Sequence, residues 1–138
     1  MNQNLMQAAK EAWEKAYVPY SKFRVGAAIQ TKSGKIYKGC NIENAAYPVT
    51  CCAERVAIFK AISEGEKEFQ RLAVIADTER PVPPCGSCRQ ALSEFCDPSM
   101  EIEIGNLNGD VKVMTMEELL PFSFTPKDLA SGSIKIDL

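Results

Sequence analysis

Two short stretches restrict this chain more than any other feature: TCCAER at 50–55 and PCGSCRQ at 84–90. Cys85 and Cys88 stand three residues apart at what reads as a helix start after Pro84, so their sulfurs lie on one face and can grip one ion. Cys52 stands at the start of a second helix, with Thr50 as its candidate cap. A fold that uses all three sulfurs must bring two helix starts to one point. Such starts favour thiolate over thiol, because their unpaired amides carry positive partial charge.

Compartment decides how the cysteines are read. Six of them, at 40, 51, 52, 85, 88 and 96, would make a disulfide framework in a short secreted chain, whereas in a reducing compartment they point to metal or catalysis. The N-terminal MNQNLMQAAKEAWEKAY has no basic start followed by an apolar block, and no stretch approaches the roughly 18 apolar residues of a membrane helix. A cytoplasmic protein with no membrane partner is therefore expected. A formal net charge of -2 without basic runs gives no footprint for nucleic acid, so the partner is a small molecule. Histidine is absent, which removes the commonest general base and metal nitrogen ligand, so any acid-base chemistry must use another side chain.

The hydrophobic pattern supplies the frame. Leu5, Met6, Ala9, Trp13, Ala16 and Tyr17 recur at helical spacing and predict a first helix that ends near Pro19. FRVGAAIQT and KIYKGCNIE flank Ser33-Gly34 and read as a hairpin. Val56, Ile58, Phe59 and Ile62 fit a helix stopped by Gly65, and LAVIAD is a buried strand. After the proline-rich RPVPP, CGSCRQALSEF reads as a helix, EIEIGN and VKVMT as strands around Asn108-Gly109, and MEELLP as a short helix. The 138 residues form one α/β domain, 1–138, with a mixed sheet of about five strands covered by helices on both faces. The segment from Pro121 onward has little periodicity, although Phe122 and Phe124 are conspicuous in it.

Three protein ligands plus water is the catalytic arrangement for zinc, while structural sites are closed by a fourth side chain. On spacing alone Cys40, Cys51 or Cys96 can be that fourth ligand, and a redox Cys-x-x-Cys is a further reading. Neither accounts for Glu54. A carboxylate two positions after Cys52 on a helix is an awkward co-ligand but lies beside an open metal position, where a proton shuttle belongs. Arg55 and Arg89, each one residue after a member of this set, are placed to donate hydrogen bonds near the sulfurs. Asn41 and Glu43, two apart in GCNIEN, can project to one face and suit a pair of sugar hydroxyls, although NIEN also reads as a turn. Phe23 and Val25 alternate onto one face, which core packing also explains.

Cys-Ala-Glu at 52–54 followed by Pro-Cys-x-x-Cys at 84–88 is similar to the signature of the zinc nucleoside and base deaminases, a system in which a non-ligand Glu serves as general acid and base. PYSKFRVGAA at 19–28, GCNIENAAYP at 39–48, CAER at 52–55 and ELLPFSF at 118–124 resemble the small cytidine deaminases in particular. The first ligand here is Cys52 where many members have His, which makes the metal set all cysteine. The resemblance implies a three-layer α/β/α fold and one zinc per chain on Cys52, Cys85 and Cys88. It further implies Glu54 as proton shuttle, Asn41 and Glu43 on the ribose, Phe23 and Val25 along the pyrimidine, and hydrolysis of cytidine or deoxycytidine to the uridine and ammonia. A homotetramer is implied in which Phe124 reaches a neighbouring subunit's site. Cys40, Cys51 and Cys96 are assigned to packing. Deamination of nucleic acid or of a nucleoside-like antibiotic, and a zinc-stabilised binding module without catalysis, are the alternatives.

Overall fold

The computed structural model describes residues 2–130, with side chains from residue 5 onward. A hairpin opens the sheet: β1 (Val25–Thr31) and β2 (Ile36–Cys40) pair antiparallel, with Gly34 at φ 100° in the turn. That backbone conformation is open to glycine at little steric cost. β3 (Phe69–Ala76) joins the other edge of β1 antiparallel, β4 (Glu101–Asn106) runs parallel to β3, and β5 (Val111–Thr115) returns antiparallel, for a sheet order β2-β1-β3-β4-β5. The single parallel pair needs a crossover, and α3 (Gly86–Phe95) lies within it.

Alternation along the strands divides the side chains between two faces. Ala28, Ala73 and Ile75 pack with Leu5 and Ala9 of α1 (Asn2–Trp13). Ala27, Ile29, Leu72, Val74 and Ile104 pack with Ala57 and Ile58 of α2 (Ala53–Ser63) and Leu92 of α3. Helix, sheet and helix thus form three layers, each face of the sheet burying one apolar set. Two short helices follow, α4 (Met116–Leu119), begun by a Thr115 and Glu118 capping box, and α5 (Pro126–Ala130).

The first helix is shorter than its periodicity predicts. It ends at Trp13, and Ala16 and Tyr17 lie beyond it. The Tyr17 amide donates to the Asn41 carbonyl at 3.0 Å and the Tyr17 carbonyl accepts from the Glu43 amide at 2.9 Å. Pairing with a distant strand end thus takes the backbone groups that another helical turn would have used. Gly39 does the opposite service on the far face. A Cβ there would stand 2.5 Å from both the Ala53 carbonyl and the Ala57 amide, closer than packed atoms approach, so only glycine lets α2 lie directly on β2. The start of α2, with Cys52 and Glu54, is set against the sheet by that contact.

Candidate metal centre and active site

Cys52 is the residue that begins α2 and Cys85 the residue that begins α3, both with extended backbone and neither using its sulfur as a cap. The cap role expected of Thr50 is not found: its hydroxyl accepts from the Asn44 amide at 3.1 Å, and Cys52 occupies the cap position. Cys88 lies within the first turn of α3, so its sulfur stands over the same helix start as that of Cys85. The Cys52 and Cys85 sulfurs are 3.8 Å apart, those of Cys85 and Cys88 3.4 Å, and all three lie within 4.8 Å of one another. A tetrahedral zinc with Zn–S bonds of about 2.3 Å places its sulfurs about 3.8 Å apart, so the trio has the dimensions of such a site. Among the described residues it is the one group of three or more cysteine or acidic side chains with that proximity. Cys40 donates from Sγ to the Lys15 carbonyl, Cys51 is half-buried and Cys96 is buried.

The donor chemistry fits a cation as well. Cys52 is drawn down to about 5, chiefly by the hydrogen bond it shares with Cys88, with Arg55 and Cys85 adding to the effect. Cys88 is pushed upward by the same bond, by burial, and by the charges of Glu54 and Cys52. Negative charges on Cys52 and Cys88 thus oppose one another. A divalent cation removes that conflict, because thiolate charges then meet an opposite charge. The starts of α2 and α3 both direct positive partial charge at the sulfurs. Arg55 adds a full charge, donating from Nη2 to Cys52 Sγ at 3.5 Å, and its own pKa is raised first by that bond. Arg89 is placed differently from expectation. It donates from Nε to the Pro84 carbonyl and from Nη1 to the Leu119 carbonyl, both at 2.8 Å. From the fourth position of α3 its side chain reaches across to α4.

A cavity of about 260 Å³ opens beside the trio, bounded by Cys52, Glu54 and Cys85 on one side and by Phe23, Val25 and Asn41 on the other. Glu54 is only 4% exposed, and burial, with the charge on Cys52 adding to it, raises its pKa to about 7. A carboxyl group with that value exchanges protons readily near neutrality. The floor is formed by Val74 and Ala76 at the carboxyl end of β3, the usual position for a ligand in an α/β sheet. Pro83 and Pro84 supply a wall that sequence reasoning did not assign; RPVPP reads as a chain break, and its prolines signal rigidity without saying what they face.

Asn41 spends part of its amide on the chain opposite, accepting from the Val25 amide at 2.9 Å and donating to the Phe23 carbonyl at 2.8 Å. Glu43 lies outside the cavity, in a neighbouring hollow beside Tyr20 and Tyr47. Its carboxylate accepts from the Tyr20 and Ser21 amides at 3.0 and 3.1 Å and from the Ser21 hydroxyl, and that hydroxyl chiefly holds its pKa below the usual carboxylate value. Both residues therefore brace the 20–25 segment that carries Phe23. Phe124 does not line the cavity of its own chain; the residue is 59% exposed, and its carbonyl accepts from Gln90 Nε2 at 3.2 Å.

Residues 1–103 match a family model described as the cytidine and deoxycytidylate deaminase zinc-binding region. The chain is 55% identical over 128 residues to a cytidine deaminase of Sporosarcina psychrophila, covering 93% of this chain and 94% of the relative. It is 53% identical over 127 residues to a cytidine deaminase of Halalkalibacterium halodurans, covering 92% and 96%. Among solved structures it is similar to a cytidine deaminase from Burkholderia pseudomallei, with a TM-score of 0.87, 47% identity, and coverage of 90% of this chain and 99% of that one.

Proposed function

The chain belongs to the family defined by the cytidine and deoxycytidylate deaminase zinc-binding region, and on that premise we propose that it hydrolyses cytidine and deoxycytidine to uridine and deoxyuridine with release of ammonia. The observation that carries this reading is the buried Glu54 carboxyl at the wall of a cavity that also touches two of three clustered sulfurs. Zinc on Cys52, Cys85 and Cys88 supplies, when bound, the Lewis acidity that makes water a nucleophile near neutral pH.

The residues of the chain do the rest. Glu54 takes a proton from the attacking water and carries it to the ring nitrogen adjacent to the reacting carbon; it then takes the second proton from the hydroxyl now on that carbon and gives it to the amine, which leaves as ammonia while the carbonyl of the uridine forms. Its burial keeps bulk water from competing for that proton. Phe23 and Val25 offer an apolar wall for the pyrimidine, and Pro83 and Pro84 close the other side at no cost in side-chain freedom. Asn41 retains one amide hydrogen and one carbonyl lone pair for a ribose hydroxyl after its two bonds to the chain. We assign Glu43 to the same sugar, with the Ser21 and Tyr20 amides fixing its orientation. Arg55 offsets the negative charge that three thiolates leave on the site.

Absorbance at the cytidine band, followed with and without a chelator, tests the activity. Conversion that stops on metal removal is the expected outcome, and a zinc-loaded protein that converts neither nucleoside overturns the reading in favour of a binding module.

The same proposal places the protein in the cytoplasm, as a homotetramer with shared sites. No helix among the described residues is long and apolar enough to cross a membrane. Tyr17, Tyr20, Tyr47, Val49 and Phe124 are each more than half exposed, and aromatic side chains of this kind are enriched where subunits meet. Phe124 of one subunit then stacks on the pyrimidine bound by another. Stacking of an aromatic on a base is worth roughly 1 to 3 kcal/mol, so Phe124→Ala weakens cytidine binding about tenfold or more with zinc retained. Light scattering reads the assembly independently, and a fully active monomer overturns the shared site.

A further inference from the structure

Cys88, Arg89 and Gln90 follow one another on α3, and the second and third hold a segment far along the chain. Arg89 joins two carbonyls, Pro84 through Nε and Leu119 through Nη1, each at 2.8 Å. Gln90 Nε2 donates to the Phe124 carbonyl at 3.2 Å. Pro84 immediately precedes Cys85 in a stretch where Pro81, Pro83 and Pro84 remove the backbone donors that would otherwise form local turns. Leu119 closes α4, a helix of four residues whose last carbonyls lack intrahelical partners. A guanidinium meets both needs at once, because its donors diverge in a rigid plane; a lysine offers one nitrogen on a flexible stem.

The segment between the two anchors is strained. Phe122 has φ 53°, in the left-handed region that is costly for a side chain of this size. Its ring is fully exposed, so its own packing does not hold the turn. Such a conformation persists only where the surroundings impose it. Here they act from the two ends, through Arg89 at Leu119 and Gln90 at Phe124.

We propose that Arg89 is a positioning residue, which ties the 119–124 segment to the turn carrying Cys85 and thereby fixes the direction in which Phe124 is presented to the site of a neighbouring subunit. Its effect on substrate binding rests on the reading of Phe124 as a substrate contact; the clamp itself does not.

The test uses the zinc-loaded protein with Arg89→Met and Arg89→Lys, each alone and combined with Phe124→Ala. Amide hydrogen exchange reads the clamp without substrate. Peptides covering 119–125 exchange about tenfold faster or more in Arg89→Met, while those from β3 and β4 keep their protection. Wild-type exchange there overturns the clamp. Should Arg89→Met fail to fold, Arg89→Lys decides the point, because one nitrogen holds one carbonyl and leaves the other free; the expected result is partial acceleration, and wild-type rates overturn the proposal. The kinetic expectation for Arg89→Met is a KM for cytidine about tenfold higher with kcat within about threefold of wild type, and partial recovery in Arg89→Lys. In the Phe124→Ala background the same substitution raises KM less than about twofold, since the placement of an absent ring has no effect. Effects that multiply independently overturn the route through Phe124. If Phe124→Ala alone binds cytidine normally, the substrate contact is what fails, and the exchange result judges the clamp by itself.

Discussion

Glu54→Gln leaves zinc bound and the fold intact while kcat for cytidine falls by about 10²- to 10⁴-fold, the range that a positioned general acid or base contributes. The amide of glutamine has nearly the volume of the carboxyl group, so the packing that leaves position 54 only 4% exposed is preserved. What is lost is the capacity to accept a proton and return it. The wild-type carboxyl is suited to that exchange because burial, reinforced by the charge on Cys52, lifts its pKa to about 7. Among the described residues, no other carboxylate lines the cavity. Histidine is absent from the chain, and Glu43 is turned toward the Tyr20 and Ser21 amides in a separate hollow. Steady-state rates together with metal analysis check the expectation, and near-wild-type turnover would remove Glu54 from the mechanism.

Cys52→Ala, Cys85→Ala and Cys88→Ala each lose the metal and, with it, activity, whereas Cys51→Ala keeps both. The contrast between neighbours is the informative part. Cys51 and Cys52 are adjacent in the chain, but only the Cys52 sulfur stands among the other two, 3.8 Å from Cys85 and hydrogen-bonded by Arg55. Cys51 pairs through its backbone with Ile42, and burial raises its thiol pKa, which disfavours the thiolate a metal requires. Removing one of three ligands reduces zinc affinity well beyond the roughly 10- to 100-fold that outer-shell partners are worth. Metal content measured after dialysis against a weak chelator gives the answer. Zinc retained at full stoichiometry in any of the three variants, or lost equally from Cys51→Ala, would overturn the ligand assignment.

The five strands and the helices around them follow closely from the periodicity of the chain. Where reading by pattern fails, a distant backbone has intervened. Helical spacing extends to Tyr17, yet the helix stops at Trp13, because Asn41 and Glu43 claim the backbone groups of Tyr17. Thr50 has the chemistry of a cap, but its hydroxyl serves Asn44 while Cys52 begins the helix. Arg89 stands one residue after Cys88 and Arg55 three after Cys52, and the two point to different places: Arg55 to a sulfur, Arg89 to carbonyls at 84 and 119. Sequence proximity to the ligands is the same kind of signal for both and has no means of separating them.

Local chemistry sufficed for whatever depends on a few neighbouring residues. The three-residue spacing of Cys85 and Cys88 puts their sulfurs over one helix start. The glycines at 34 and 109 make the hairpin turns, and strand alternation sorts side chains between two layers. Tertiary structure alone decided that Cys52 meets that pair, that Glu54 is buried to the point where its proton is exchangeable near neutrality, and that a proline wall closes the cavity. Those outcomes depend on where α2 and α3 lie over the sheet. Close contact at Gly39 and the crossover between β3 and β4 govern that placement, and both join residues far apart in the chain, whose separation no local pattern encodes.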